Sequence, residues 1–151
     1  TDDAKSGADA GVSGTPGVIL LDTKSGKTVS IPGAVPIDQL KSSIDQLIAG
    51  TATDAKIKLK PLSPNDHIKG DRTARIWLVE YSDIQCPYCK RFYPTVNQAL
   101  SDYNGQIVWV YRHFPLEGLH PLARPAAEAT ECAASMGGED AFWKMLDKMN
   151  E

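Results

Sequence analysis

The stretch that decides the fold is residues 74–96, which read ARIWLVEYSDIQCPYCKRFYPTV. Its first eight residues, 74–81, are mostly apolar and predict a buried strand. After the CPYC motif at 86–89, apolar residues recur at helical spacing as far as about Tyr103. A CxxC motif between a strand and a helix is typical of a thioredoxin-like redox site. The start of the helix also stabilises a thiolate on the first cysteine of such a motif.

The two cysteines of the motif are predicted to be a redox pair. Because only two residues separate them, Cys86 and Cys89 can close and open a disulfide with little backbone motion. We expect Cys86 to be the exposed nucleophile and Cys89 to be its resolving partner. A third cysteine, Cys132, is left over, and we expect it to be a small buried apolar residue on a helix.

Two other interpretations of a CxxC motif are disfavoured. A structural zinc site takes four Cys or His ligands, usually as two pairs, but there is no second CxxC, and His113 and His120 are not spaced as a pair. An inert structural disulfide across two residues would add little loop-closure stability. Neither a metal nor a cofactor is therefore predicted.

Size and composition point to an ordinary globular protein. A chain of 151 residues suits a single domain with a buried core. The net charge of -3 gives no basis for nucleic-acid binding. No stretch approaches the length of a membrane span, and no signal peptide is recognisable. Three cysteines are too few for a disulfide scaffold.

Before the motif, the sequence predicts a weak helix, a hairpin and a longer helix. Small and acidic residues favour a weak helix over residues 1–12. The apolar stretch 18–22, a turn with glycine, and the alternating stretch 27–31 together indicate a β-hairpin. Residues 37–48 show helical spacing. Residues 49–55 are small and polar, and we interpret them as a flexible linker.

Around the motif, the pattern predicts a βαβ unit. Residues 56–60 alternate and suggest a short edge strand with lysines facing water, and residues 61–72 are expected to be a loop. Residues 106–111 are a second buried strand, which should be the parallel neighbour of strand 74–81. Two further helices are expected, separated by a pair of glycines: 122–134 and 139–150.

Several motifs together resemble one family. YSDIQCPYCKRFYPTV, VWVYRHFPL, HPLA, AAEATECA and AFWKMLDKM are similar to the DsbA-like thiol-disulfide oxidoreductases. The resemblance implies an α/β thioredoxin-like fold, with a mixed central sheet flanked by helices and a helical insertion. It also implies an extracytoplasmic location, in the periplasm or cell envelope.

The order of the segments differs from that of the family. VSGTPGVILLD, the hairpin and the helix that follows resemble the C-terminal part of the family, which comes after the CxxC motif. Here residues 1–48 precede it, joined through the linker 49–55 to residues 56–151, with a shortened helical insertion. We therefore expect one domain, 1–151, arranged as in a circular permutant. A segment that spans two tandem domains is the open alternative.

The resemblance also implies roles for individual residues. Pro16 would be a cis proline whose loop lies against the motif, and the backbone of Thr15 would pair with an extended substrate. Pro87 and Tyr88 would flank the sulfurs and contact substrate. Alternation places Glu80 on the same strand face as Leu78, so it points inward. The resemblance favours Glu80 as a buried proton relay for the second cysteine.

The expected partners follow from the same resemblance. They are protein substrates with thiols or disulfides, and a membrane quinone-linked oxidase that recharges the site. A glutaredoxin-like or thioredoxin-like reductase is one alternative, because CPYC also occurs in glutaredoxins. A redox-inactive peptide-binding or assembly module is another. We expect a monomer, with a domain-swapped dimer between residues 1–48 and 56–151 as the open alternative.

Overall fold

A computed structural model describes residues 2–151 of the chain. It contains four helices and five strands, which follow one another in this order: α1 (Asp2–Asp9), β1 (Gly17–Asp22), β2 (Thr28–Pro32), α2 (Ile37–Ala49), β3 (His67–Lys69), β4 (Ile76–Ser82), α3 (Pro87–Asp102), β5 (Ile107–His113) and α4 (Ala123–Met149). None of these helices combines the length and the apolar character needed to cross a membrane.

The five strands form one mixed sheet in the order β2-β1-β4-β5-β3. Strands β4 and β5 are parallel, as predicted, and the other neighbouring pairs are antiparallel. This is the predicted thioredoxin-like fold. The hairpin from the first third of the chain pairs directly with β4, the strand that leads into the CxxC motif. The sheet therefore joins the two parts of the sequence that the linker separates.

The sheet is covered on both faces, which explains why its central strands are apolar throughout. One face packs under α2, α3 and the end of α4, around residues such as Leu78, Trp109 and Phe142. The other face centres on Val79 and Val110. At Gly7 of α1 an added Cβ would lie 2.8 Å from a ring carbon of Tyr81, so this helix needs a glycine to approach the sheet.

The predicted edge strand at 56–60 is wrong. Residues 56–62 form no strand, and the edge strand is instead β3, inside the stretch that was expected to be a loop. Ile57, Leu59 and Leu62 pack against the core on the second face of the sheet. The alternation in this segment thus reflects apolar side chains that lie across the sheet. The strand that pairs with β5 through its backbone is β3.

The segment between α2 and residue 56 is held in place, although we expected it to be flexible. Asp54 Oδ1 accepts hydrogen bonds from the backbone N–H groups of Thr28 at 3.0 Å and Lys56 at 2.8 Å. The Lys27 ammonium donates to the carbonyls of Gly50 and Ala52. These contacts attach the connection to the start of β2.

Helix α4 consists of two helical segments, as predicted, because Gly138 has a non-helical backbone with φ 78° and ψ −165°. A positive φ of this size is adopted readily only by glycine. The expectation that Cys132 is buried is wrong, because its side chain is exposed on this helix. The buried positions of the first segment are instead Ala123, Ala127 and Thr130.

A histidine ties the two segments of α4 to the edge of the sheet. His67 Nδ1 lies 2.7 Å from Glu139 Oε1, and His67 Nε2 lies 2.7 Å from Glu131 Oε1. Its ring stacks on Phe142 with centroids 3.5 Å apart. Since carboxylates only accept hydrogen bonds, these two contacts favour the imidazolium form of the ring, in which both nitrogens carry protons.

This arrangement predicts a pH-dependent stability. Burial opposes the imidazolium, but Glu131 and Glu139 outweigh it and raise the pKa of His67. The stabilisation is therefore complete below the unfolded-state pKa of about 6.5 and is lost as the pH rises through the higher folded-state pKa. His113 and His67 lower the pKa of Glu131 to about 2. The stabilisation that the ionised Glu131 contributes is therefore lost only as the pH falls towards that value.

We expect the free energy of unfolding to fall by about 1 kcal/mol between mildly acidic and alkaline pH, because solvent screens the half-exposed glutamates. Urea unfolding across this range measures it, and Glu131→Gln should flatten the dependence. Glu128→Gln is the matched control on the same helix, since Glu128 pairs only with the exposed Arg124 among the described ion pairs. An equal slope in wild type and Glu131→Gln would contradict the prediction.

Candidate redox site

The CxxC motif lies where β4 ends and α3 begins. Cys86 is the N-cap residue of α3, with an extended backbone, and Pro87 is the first helical residue. A proline is suited to this position because its missing N–H has no partner within the helix. The helix start places backbone N–H groups and the positive end of the helix dipole beside Cys86, which stabilises negative charge on its sulfur.

Asp83 organises the turn before the motif, a role that the sequence analysis missed. Its Oδ1 accepts a hydrogen bond from the Gln85 N–H at 2.9 Å. Its Oδ2 accepts from the Leu116 N–H at 3.0 Å and lies 2.7 Å from His120 Nδ1. The buried carboxylate thus joins the turn to the segment after β5. An acidic residue directly between an apolar strand and the motif was the available signal.

The loop before β1 covers the motif. The Thr15–Pro16 peptide bond is cis. The Cys86 thiol donates a hydrogen bond to the Thr15 carbonyl oxygen across 3.6 Å, although the two residues are 71 positions apart in sequence. Cys86 is consequently only 4% exposed. The expectation of an exposed nucleophile is therefore wrong, because this loop packs over the sulfur.

Cys89 lies in the first turn of α3 and faces the sheet. It is buried, and both thiols are free, so the structure shows the reduced form of the pair. Burial raises the pKa of Cys89 to about 12, even though hydrogen-bonding groups of Ser82 and Asp83 act in the opposite direction. Cys89 is therefore a neutral thiol in this state and needs a proton acceptor before it can attack.

Glu80 lies on β4 beneath the motif and points inward, as the alternation predicted. It is 1% exposed. Its Oε2 accepts a hydrogen bond from Trp109 Nε1 at 3.0 Å, a partner that the sequence analysis did not identify. Burial raises the pKa of Glu80 to about 7, against the lowering effects of Ser82 and Trp109. Its carboxyl group therefore exchanges a proton near neutral pH.

Tyr88 and Pro87 face outward from the motif. Tyr88 is 57% exposed, and the guanidinium carbon of Arg91 lies 4.6 Å from the centre of its ring. This is within the range of a cation–π contact. Pro87 lines a shallow groove along α3 together with Arg91 and Pro94. The groove runs from the motif along the exposed side of the helix.

Five predicted residues therefore lie around the sulfurs of Cys86 and Cys89: Thr15, Pro16, Glu80, Pro87 and Tyr88. The cis-proline loop contacts Cys86, the buried Glu80 lies in the electrostatic environment of Cys89, and Tyr88 stands at the rim. A thiol at a helix start, a buried partner thiol and a buried acid can together support thiol-disulfide exchange. The arrangement can hold a thiolate, form a disulfide and move a proton without bulk water.

Comparison with known proteins shows the family to which this fold belongs. A family model described as thioredoxin matches residues 62–151, which is more than half of the chain. In a search of solved structures, the chain is similar to DsbA2 of Pseudomonas aeruginosa, with a TM-score of 0.52 and 37% sequence identity. That similarity covers 58% of this chain and 48% of DsbA2.

Sequence relatives among characterised proteins are much longer. The chain is 47% identical over 88 residues to the Na(+)/H(+) antiporter NhaA 3 of Salinispora tropica. This match covers 58% of this chain and 13% of the antiporter. It is 39% identical over 92 residues to NhaA 1 of Mycolicibacterium gilvum, covering 60% of this chain and 14% of that protein. The fold, the strand–CxxC–helix arrangement and the matched family model agree, and the chain belongs to the thioredoxin family as a protein with a DsbA-like thioredoxin fold.

Proposed function

We propose that this protein is a thiol-disulfide oxidoreductase that introduces disulfides into protein substrates through Cys86 and Cys89. The observation that carries the proposal is the contact between the Cys86 sulfur and the Thr15 carbonyl. It places a cis-proline loop beside the sulfur at the start of α3. A substrate chain that pairs with this loop would hold its own sulfur next to Cys86.

The oxidising cycle has two exchange steps. A substrate thiolate attacks Cys86 of the Cys86–Cys89 disulfide, a new disulfide joins substrate to Cys86, and the electron pair of the old bond goes to the Cys89 sulfur. Because that sulfur is buried, it takes up a proton, for which the buried Glu80, whose charge acts on Cys89, is the donor in this proposal. A second substrate thiolate then attacks the substrate sulfur of the mixed disulfide and releases Cys86 as a thiolate.

Two features favour oxidation over reduction. The N–H groups at the helix start favour negative charge on the Cys86 sulfur, and stabilising the reduced dithiol makes a stronger oxidant. The neutral, buried Cys89 thiol also attacks slowly without a proton acceptor. Reoxidation by a membrane quinone-linked oxidase, and a location outside the cytoplasm, complete the proposal and agree with the similarity to DsbA2.

We further propose that the segment order is that of a circular permutant and that the protein is a monomer. The structural similarity to DsbA2 covers 58% of the chain, although the sheet also uses the hairpin of residues 17–32. An alignment that follows chain order would leave out a displaced part of this kind. Asp54 and Lys27 hold the connection against β2, which favours closure of the sheet within one chain.

The direction of the reaction is tested by the reduction potential. Equilibration with glutathione buffers should give a value nearer the roughly −120 mV of DsbA than the roughly −270 mV of thioredoxin. The protein should also oxidise a reduced two-cysteine peptide. A potential near that of thioredoxin would support a reductase instead. Peptide binding that persists without either cysteine, in a protein that exchanges no disulfides, would support the redox-inactive module.

A further inference from the structure

A buried carboxylate lies in the turn that leads into the CxxC motif. Asp83 is 1% exposed, and its backbone carbonyl accepts a hydrogen bond from the Cys86 N–H at 3.0 Å. This contact closes a four-residue turn, in which the first and last Cα atoms lie within about 7 Å of each other. With the two side chains added, the carboxylate of Asp83 lies within about 12 Å of the Cys86 sulfur.

His120 is the side-chain partner of this carboxylate. Its Nδ1 lies 2.7 Å from Asp83 Oδ2, which also accepts a hydrogen bond from the Leu116 N–H at 3.0 Å. The Gln85 N–H occupies Oδ1 at 2.9 Å. Because a carboxylate only accepts hydrogen bonds, Nδ1 of His120 carries the proton of this contact.

Backbone hydrogen bonds fix His120 in this position. Its N–H donates to the Leu116 carbonyl at 2.8 Å, and its carbonyl accepts from the N–H of Ala123, the first residue of α4, at 3.0 Å. The segment 116–120 is therefore held at one end by Asp83 and at the other by the start of α4. We expect a substitution of the His120 side chain to change its contact with Asp83 while these backbone contacts remain.

The charge of Asp83 opposes the effect of the helix start on Cys86. The N–H groups at the start of α3 favour a thiolate, whereas a negative charge nearby disfavours it. At an effective dielectric constant of about 20, one unit charge at about 12 Å changes an ionisation equilibrium about tenfold. Lys90 and Arg91, which follow the motif, are exposed, so water and salt screen their charges more strongly.

We propose that Asp83 and His120 together set the oxidising strength of the CxxC pair, an inference that rests on the proposed disulfide exchange. Asp83 destabilises the Cys86 thiolate and so makes the pair a weaker oxidant. His120 offsets this effect, because its hydrogen bond partly neutralises the carboxylate. His120 is thus a positioning residue that acts on Cys86 through Asp83.

The test combines the reduction potential with the rate at which iodoacetamide alkylates Cys86 between mildly acidic and neutral pH. Asp83→Asn removes the negative charge and should shift the equilibrium with glutathione about tenfold, or about 30 mV, towards a stronger oxidant. His120→Leu removes the donor and should shift the potential the other way. The alkylation rate follows the thiolate fraction and should rise in the first variant and fall in the second.

The opposite signs separate this role from a structural one. If the pair only held the turn in place, both substitutions would loosen the turn and shift the potential in the same direction. His120→Asn keeps an N–H donor near the position of Nδ1 and should restore most of the value lost in His120→Leu. All alkylation variants also carry Cys132→Ser, because the exposed Cys132 thiol would react as well.

Glu117→Gln is the matched control. It removes the same charge as Asp83→Asn, but from an exposed position of the segment that Asp83 holds. Because water screens a charge at this position, both the potential and the alkylation rate should keep their wild-type values.

Shifts of the same sign in Asp83→Asn and His120→Leu, or an equal shift in Glu117→Gln, would overturn the proposal. An unchanged potential in Asp83→Asn would do so as well. If Asp83→Asn does not fold, His120→Lys takes its place, because an added positive charge must shift the potential opposite to His120→Leu. A wild-type protein that exchanges no disulfides would instead contradict the proposed function, and the alkylation rates would still decide whether the pair acts on Cys86.

Discussion

Cys86→Ser is expected to abolish disulfide exchange, whereas Cys89→Ser is expected to trap the reaction at the mixed disulfide. Cys86 lies at the start of α3 beside the Thr15 carbonyl, where an incoming substrate sulfur would meet it. Cys89 lies in the first turn of α3, where burial keeps it a neutral thiol, so we expect it to act only on a bond that Cys86 has already formed. Mass spectrometry after incubation with oxidised glutathione distinguishes the two outcomes.

Cys132→Ser is the control for these substitutions, because it changes the same atoms at an exposed position on α4. It should leave the exchange rate at the wild-type value. If Cys86→Ser retained exchange, or if Cys89→Ser formed no glutathione adduct, the assignment of nucleophile and resolving thiol would be refuted. An adduct confined to Cys132 would show that the buried pair does not react with small disulfides.

Arg112→Ala is expected to cause the largest loss of stability, about 3–5 kcal/mol, out of a total that is typically about 5–15 kcal/mol. The Arg112 side chain is fully buried. Its Nε and Nη2 donate to the two carboxylate oxygens of Asp66 at 2.9 and 3.1 Å. It also donates to the Tyr81 hydroxyl and the Lys60 carbonyl. Its removal leaves a buried carboxylate without its counter-ion, which urea unfolding measures.

A paired substitution separates this cost from simple loss of packing. In Arg112→Met with Asp66→Leu no charge remains buried, and most of the stability should return, as is seen when buried ion pairs are replaced by apolar residues. Arg75→Met is a milder control, because Arg75 is one-third exposed in its pair with Asp22. A loss below about 1 kcal/mol in Arg112→Ala would contradict the prediction.

The sequence pattern predicted the structure correctly where it depends only on residues within one helix or strand. The apolar stretch before CPYC predicted β4, the spacing after it predicted α3, and a pair of glycines predicted the break in α4 at Gly138. Alternation along β4 placed Glu80 inward, because the period of a strand fixes which face a side chain takes. These are properties of a few consecutive residues, so the sequence carries them directly.

Pattern failed where a residue's environment comes from distant parts of the chain. Alternation over residues 56–60 suggested a strand, but Ile57 and Leu59 cross the second face of the sheet. Cys132 was expected to be buried, but on α4 the packing positions fall on other residues. In both cases the local sequence is compatible with two arrangements, and the packing of neighbouring helices and strands determines which one forms.

The sequence by itself determined the local frame of the candidate site: a strand, a CxxC motif and a helix. The tertiary structure decided how the two cysteines are enclosed. It brought Thr15 onto Cys86 across 71 residues, and it placed Trp109 beside Glu80. Solvent access, proton affinity and hydrogen-bond partners all depend on which distant groups pack together, because burial and electrostatic interaction act through space rather than along the chain.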